Sequence, residues 1–524
     1  MNRKEFVRQA ALAATSIGSM GLLNRLDGAE TAPAKPNVVY VFSDTHRWCS
    51  MPFTEAPEVY APNMLTLKRQ GITLTHCHSN LPLCTPYRSI LQTGRWPFQT
   101  GAIENHLDMR YRVDGSKQTI GSIFRMAGYR TVYYGKWHLG APDGKTWGYD
   151  VFQSGDGGGG GEKAEGGSNR DRQFTAKAVN AISEHAKSGR AQPLFLTLSI
   201  VDPHGPYNPT KENLERYASS PNLPFRGNDL LKSRSFYDNY YAEISGVDEM
   251  LGAVMKALDD NGMTKNTILV YTSDHGAMGG AQSIGGGQKR MPHDESSRVP
   301  FLIRWPGRIP ADKSLDVLFS SIDIFPTLCS LANLPAQLQQ NDIAEAKAAS
   351  RYLSECPGLD FSKNLLGIPG GPDPESVFIM HPSNMTNNNG SVQTSRCIVT
   401  KDYMYAVKTQ YRPIAVKAKS QAKKKAGKTF APAQPAGEWC LYDRRKDPLQ
   451  MNNLIDNPAY APVKAELRER LKAWIAKAEA PYVNNCFGKM NEKYLGNWNY
   501  EHGVARGDRA SAVAAYHDDL KGAL

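Results

Sequence analysis

A chain of 524 residues is too long for one small core, so a large domain with a smaller companion is the expected organisation. Its 40% apolar and 22% charged residues are ordinary for a soluble globular protein. The formal net charge of +11 concentrates anionic ligands near the surface, but no helix-turn-helix, zinc-finger or RNA-binding signature accompanies it, so nucleic acid is not an expected partner.

The chain opens with the basic residues Arg3, Lys4 and Arg8, followed by a stretch of small apolar residues from Ala10 to Leu23 that is too short to span a bilayer. Arg3-Lys4-Glu5-Phe6 is a weakened twin-arginine pattern, with Lys in place of one Arg. Residues 1–30 are therefore expected to be an export signal peptide, giving a periplasmic or secreted protein with no transmembrane segment. Without them the net charge is +10.

Four short apolar runs follow in chain order, each ending in polar residues. Val38 to Phe42 ends at Ser43-Asp44, and Thr131 to Tyr134 ends at Gly135-Lys136-Trp137-His138. Leu194 to Val201 ends at Asp202-Pro203-His204, and Thr267 to Tyr271 ends at Ser273-Asp274-His275-Gly276. Runs that are apolar at nearly every position suit strands buried on both faces. Helical patterns over Gln118 to Ala127, Gln173 to Ala186 and Tyr241 to Leu258 lie between them, and this alternation predicts a doubly wound, mostly parallel α/β sheet sandwiched by helices. Ligands of such sheets bind beyond the carboxyl ends of the strands, where these Asp, Lys and His residues fall.

The glycine-rich segment Ser154 to Ser168 lacks a phosphate-loop pattern and reads as a surface loop. Residues 337–374 read as a polar connection leading out of the main sheet. Beyond it, Val377 to Met380, Cys397 to Thr400, Tyr403 to Val407 and Trp439 to Tyr442 are strand candidates, and Ala461 to Ala478 is an amphipathic helix. A catalytic domain over 36–374 and a C-terminal α+β domain over 375–524 are expected. The lysine run Lys417, Lys419, Lys423, Lys424, Lys425 and Lys428 reads either as a solvated loop or as an electrostatic guide for a polyanion.

The eight cysteines show no CxxC pair and no metal-finger spacing, which excludes a disulfide scaffold but leaves one or two bridges open. Cys84 stands out. Thr85-Pro86 is a helix-start signal, with Thr85 as capping residue and Pro86 at the first helical position. Cys84 would then sit at a positive helix end suited to an oxyanion, with Arg88 one turn on. The residues alone admit two readings of Cys84, an activated thiolate or a buried structural cysteine.

The run Cys84-Thr85-Pro86-Tyr87-Arg88-Ser89-Ile90-Leu91-Gln92-Thr93-Gly94 resembles the C-x-P-x-R signature of the type I sulfatases, members of the alkaline phosphatase-like superfamily. Gly135 to Gly140 is similar to that family's second motif. Further matches are Asp44, Pro203-His204-Gly205-Pro206, Ser273-Asp274-His275-Gly276, Lys289 before Ser297-Arg298-Val299-Pro300, Asp323 to Leu328, and Leu441-Tyr442-Asp443 with Asp447-Pro448. Together they span residues 37–455 in the family's order.

The resemblance implies an alkaline phosphatase-like fold and a sulfuric ester hydrolase acting on a sulfated small molecule or saccharide, and the export signal with the basic charge points to a sulfated carbohydrate. It implies that a maturation enzyme oxidises Cys84 to formylglycine, whose hydrate attacks sulfur and then expels sulfate by elimination. It implies a divalent cation, calcium with magnesium as the alternative, held by Asp44, Asp274, His275 and residue 84. Thr45 stands where many relatives have a second acidic residue, and is a weaker neutral ligand candidate. By the same resemblance Arg88 holds the formylglycine side, Lys136 and Lys289 clamp the sulfate, His138 is the base for elimination, and His204 protonates the leaving alcohol. His106 and His293 are candidates for substrate contact, and His46 and His78 are weighed between pocket and packing roles. Two other functions remain in view: a phosphonate monoester or phosphodiester hydrolase of the same superfamily, and a non-catalytic relative that binds sulfated glycans. Oligomeric state is not legible.

Overall fold

The computed structural model describes residues 35–105, 118–140, 144, 146–155, 167–218, 234–285, 287–382, 394–409, 436–488 and 508–524. The expected signal peptide, nearly all of the glycine-rich segment and the lysine run lie outside these residues. Pro36 to Leu524 belong to one compact unit. Among the described residues, no helix is long and apolar enough to cross a membrane.

Eight strands build the main sheet: β1 (Asn37–Ser43), β2 (Ile72–His78), β3 (Arg130–Gly135), β4 (Val151–Ser154), β5 (Leu194–Ser199), β6 (Thr267–Ser273), β7 (Phe301–Arg304) and β8 (Lys313–Ser320). Their order is β4-β3-β5-β1-β6-β7-β2-β8. Every neighbouring pair is parallel except those of β7, which runs antiparallel to β6 and β2. The four strands read from sequence are β1, β3, β5 and β6, which form the centre of the sheet and one flank.

The period-two alternation of β1 explains the layering. Val38, Tyr40 and Phe42 enter one apolar cluster, with Phe124, Tyr133, Trp137 and Phe325. Val39 and Val41 enter another on the opposite face, with Ile182, Tyr240, Leu251 and Val254. Helices Ile120–Met126 and Ser321–Leu331 contribute to the first cluster, and Gly167–Lys187 and Arg234–Asp260 to the second. The polar connection expected over 337–374 instead contains helices Ala344–Ser354 and Ser362–Leu366. One face of each is apolar: Ala346, Ala349, Tyr352 and Leu365 are buried in the first cluster, with Leu353 and Leu366 packed against it, so spacing matters here more than hydrophobic content.

A second, antiparallel sheet follows, made of β9 (Val377–His381), β10 (Ser395–Val399), β11 (Tyr403–Lys408) and β12 (Gly437–Asp443) in the order β12-β11-β10-β9. Helix Ala461–Ala478 covers one of its faces. This sheet shares a core with the segment around Cys84: Leu81, Leu83, Ile90 and Trp96 pack with Phe378, Met380, Leu471 and Ile475. The Trp474 ring stacks on Phe378 and meets Trp96 edge-on. Each such burial stabilises by about 1.5–3 kcal/mol, which anchors the Cys84 segment against the C-terminal part.

Candidate active site

Three ladders bring distant polar residues into one row. Ser43 pairs with Ser273 between β1 and β6, Phe42 with Ser199 between β1 and β5, and Gly135 with Ser199 between β3 and β5. The residues that follow the strands, Asp44, Asp274 and Lys136, therefore leave the sheet side by side at its carboxyl edge. Gly135 has φ +106°, and a Cβ there would lie 2.0 Å from the Ser199 carbonyl oxygen, so the turn into Lys136 requires glycine.

Cys84 is the first residue of helix Cys84–Thr93. The expected Thr85 cap is not formed: the extended Leu83 occupies the cap position and offers no side-chain hydrogen bond. Thr85 is already helical, which frees its hydroxyl to donate to the His138 carbonyl at 2.8 Å, while its N–H donates to Asn105 Oδ1 at 3.0 Å. The helix stops, as expected, at Gly94, which adopts φ 60° and donates its N–H to Ile90.

The Cys84 thiol sits in a cationic cradle. Its Sγ is 3.0 Å from Lys289 Nζ, 3.8 Å from Lys136 Nζ and 3.3 Å from His275 Nε2. Burial pushes the thiol up, but Lys136, Lys289, His275 and a hydrogen bond from His138 overcome it and hold it well below the usual thiol range. The helix end adds partial positive charge of the same sign. Cys84 is thus buried among ammonium and imidazole groups, an environment that favours an anion at this helix end.

Asp44 and Asp274 face each other across this cradle. Arg88 bridges them through one nitrogen, 3.2 Å from an oxygen of each, and its other terminal nitrogen donates to the Lys136 carbonyl and Ser199 Oγ at 2.7 Å. Lys136 Nζ lies 2.6 Å from Asp44. Burial and Cys84 raise Asp44, but Lys136, His204 and Lys289 hold it well below the carboxylate range. Asp274 is pushed up to about 7 by burial and by the facing Asp44 charge.

His275 Nδ1 is 2.9 Å from the Gly276 carbonyl oxygen, which fixes the ring with Nε2 toward both carboxylates, 3.6 Å from Asp44 and 3.5 Å from Asp274. Donor atoms of Asp44, Cys84, Asp274 and His275 all lie within 4.8 Å of one another, and all four residues are buried. Two buried carboxylates facing each other, with Asp274 raised by burial and by the Asp44 charge, form a donor set that suits a hard divalent cation. Thr45 adopts φ 76°, donates its hydroxyl to Asp44 at 2.8 Å and its N–H to Asp274 at 3.1 Å. It thus orients both carboxylates, whether or not its oxygen is itself a ligand.

His138 and His204 complete the cradle. Cys84 acts to raise the pKa of both, against larger lowering effects. His204 Nδ1 is 2.5 Å from the Gly205 carbonyl oxygen, and its pKa is lowered by Lys289 first and burial second. His138, at φ 56°, is lowered chiefly by burial. Positive φ at both Thr45 and His138 places backbone strain beside the reacting centre.

The other histidines divide differently. His106 lies outside the described residues. His293 packs against the rings of Trp439 and Tyr442, and among the described residues no hydrogen bond ties it to Cys84, Asp44 or Asp274. His46 is buried against the Tyr271 hydroxyl at 2.7 Å and pushed down to about 3 by burial, and His78 is buried beside Ser297. Both serve packing. All eight cysteines are free thiols, so neither of the bridges left open by the sequence is formed. Ser199, Asn105 and Tyr133, which hold Arg88, Thr85 and the Lys136 carbonyl, were not legible, because each acts through a contact that only the sheet creates.

A mostly parallel sheet gathers a buried cysteine, two lysines, two histidines and a carboxylate pair beyond its carboxyl edge, a set suited to an anionic ester. The Sulfatase family model matches residues 36–334, and the chain belongs to that family: it is a sulfatase, a sulfuric ester hydrolase. It is 28% identical over 90% of its length to an ulvan-active sulfatase of Formosa agariphila, covering 86% of that protein. It is 26% identical over 80% of its length to an endo-4-O-sulfatase of Bacteroides thetaiotaomicron, covering 88% of it. A solved structure in complex with its substrate D-glucosamine-2-N,6-O-disulfate superposes with a TM-score of 0.65 at 20% identity, over 85% of this chain and 98% of that one. At that identity the likeness establishes the fold, an alkaline phosphatase-like sheet with a smaller antiparallel sheet.

Proposed function

We propose that this sulfatase releases inorganic sulfate from a sulfated carbohydrate outside the cytoplasm. The observation that carries the reading is the convergence of Lys136, Lys289, His138 and His204 on residue 84, with Asp44, Asp274 and His275 behind it. Carbohydrate as the substrate class is supported by the relatives active on ulvan and by the glucosamine disulfate complex.

Oxidised to formylglycine by a maturation enzyme, residue 84 would supply a nucleophile that is regenerated each turnover. A calcium ion, or magnesium, held by Asp44, Asp274, His275 and residue 84 would supply positive charge to the sulfuryl oxygens and to that nucleophile. The chain's own residues do the rest. Lys136 and Lys289 hold the sulfate oxygens and stabilise the charge that grows on them. Arg88 locks both carboxylates in place. With Nδ1 of His204 engaged by Gly205, its Nε2 is the atom that delivers a proton to the leaving alcohol. His138 removes a proton at the residue-84 side chain. The apolar start of the chain and the basic charge support export and a polyanionic substrate.

The test is sulfate release by the matured protein from defined sulfated saccharides, beside aryl sulfate, phosphate and phosphonate esters. Preference for sulfated sugars is expected. Turnover of phosphorus esters faster by orders of magnitude, or glycan binding without sulfate release, would sink the reading. Mass spectrometry of the residue-84 peptide from active protein is expected to find aldehyde or its hydrate, and an unmodified thiol with full activity would refute the nucleophile.

A further inference from the structure

Lys289 and Cys84 are 205 residues apart in sequence, yet their segments are fastened to the same two neighbours, Glu104 and Asn105. The Glu104 carboxylate is buried and takes the Arg290 guanidinium at 2.8 Å. The same oxygen accepts the Asn105 N–H at 2.8 Å. Asn105 Oδ1 accepts the Thr85 N–H, the second of the helix that begins at Cys84. Arg290 closes the loop, donating its own N–H to the Pro82 carbonyl at 3.2 Å.

Two physical facts make this more than a surface ion pair. Arg290 adopts φ 71°, a conformation a non-glycine residue holds only when its surroundings impose it. Both side chains are largely withdrawn from water, 9% and 0% exposed, so the pair is weakly screened and breaking it leaves an uncompensated buried charge. Lys289 is the next residue, and its ammonium reaches Cys84 Sγ at 3.0 Å from a flexible four-carbon stem. Without a fixed backbone at its base that stem has no single position.

We infer that Glu104 is a positioning residue for the reaction. Through Arg290 it sets where the Lys289 ammonium stands relative to residue 84, and through Asn105 it fixes the start of the residue-84 helix in the same frame. The role assigned to Lys289 rests on the proposed function, but its placement by Glu104 does not.

The experiment compares Arg290→Ala, Arg290→Lys and Glu104→Gln with the wild type, all matured, by kinetics, thermal unfolding and crystallography. In Arg290→Ala, kcat is expected to fall about a hundredfold, as a misplacement near 1 Å allows, with KM little changed. Arg290→Lys is expected to recover part of the loss. Crystals of Arg290→Ala should show Lys289 Nζ displaced from the residue-84 side chain. Lys289 unmoved in the Arg290→Ala crystals, or a lower melting temperature with kcat per folded enzyme intact, would overturn the inference. Should Arg290→Ala not fold, Arg290→Lys and the near-isosteric Glu104→Gln carry the same two readouts. If the wild type hydrolyses none of the esters, the proposed function fails, while the position of Lys289 in the crystals still decides the inference.

Discussion

Lys136 places its ammonium 2.6 Å from the Asp44 carboxylate, with both groups buried. Burial pulls the Lys136 pKa down, but Asp44 and Cys84 more than reverse this, so the lysine stays charged where a sulfuryl group would sit. Replacing Lys136 with Ala is expected to lower kcat/KM by roughly a hundredfold to a thousandfold, as loss of one charge-stabilising donor does. Arg at this position should not restore it, because a planar fork does not replace a point charge. Steady-state kinetics on a sulfated saccharide checks both; near wild-type turnover of Lys136→Ala would count against the clamp.

The carboxylate pair links metal to stability. Arg88 partly neutralises Asp44 and Asp274, but burial and mutual repulsion leave Asp274 near 7, a cost that a divalent ion would remove. Dialysis against a chelator is expected to abolish turnover and lower the melting temperature, and calcium at a hundredfold excess over Kd should restore about 2.7 kcal/mol. In Asp274→Asn the calcium-dependent rise in melting temperature should disappear. An unchanged rise would remove Asp274 from the site.

A separate carboxylate contributes to the pH dependence of stability. Asp171 is buried, accepts the backbone N–H groups of Val201 and Asp202, and anchors the segment that leads to His204. Burial, opposed by those two hydrogen bonds, raises it to about 7. A carboxyl raised in the folded state contributes stability that is complete below its unfolded pKa and lost as pH rises through the folded one. The melting temperature of Asp171→Asn relative to wild type is therefore expected to climb between about pH 4 and pH 7 and level off above. A flat difference across that range would refute the raised pKa.

Gly135 offers a steric test. A methyl group would stand 2.0 Å from the Ser199 carbonyl oxygen in a backbone conformation reserved for glycine. Gly135→Ala should destabilise the fold by about 3 kcal/mol in urea unfolding. Because Lys136 is the next residue, turnover of the remaining folded protein should fall as well.

Much of this site was legible because its residues fall at the ends of apolar runs. Asp44, Lys136, Asp274 and His275 could be placed on one edge from the strand–helix alternation, and the four main-sheet strands and the four C-terminal strands expected are present. Strands β2, β4, β7 and β8 carry weaker signals: β2 mixes Thr and His into its pattern, β4 and β7 have four residues each, and five of the eight residues of β8 are exposed or only partly buried. The Thr85 cap failed for a local reason, since the helix begins at Cys84 and leaves Thr85 inside it.

The sequence by itself determined the chemistry available to this protein: which strands end in carboxylate, ammonium or imidazole, and where a helix would present Cys84. Those signals are local, because periodicity and capping act over a few residues. Only the tertiary structure decided which groups meet. Parallel pairing set Ser43 opposite Ser273 and so put Asp44 beside Asp274, and the folded chain placed His293 against Trp439 and Tyr442. Glu104 and Arg290, 186 residues apart, acquired their bond only there. A contact between distant segments depends on strand order and register, and no local pattern encodes either.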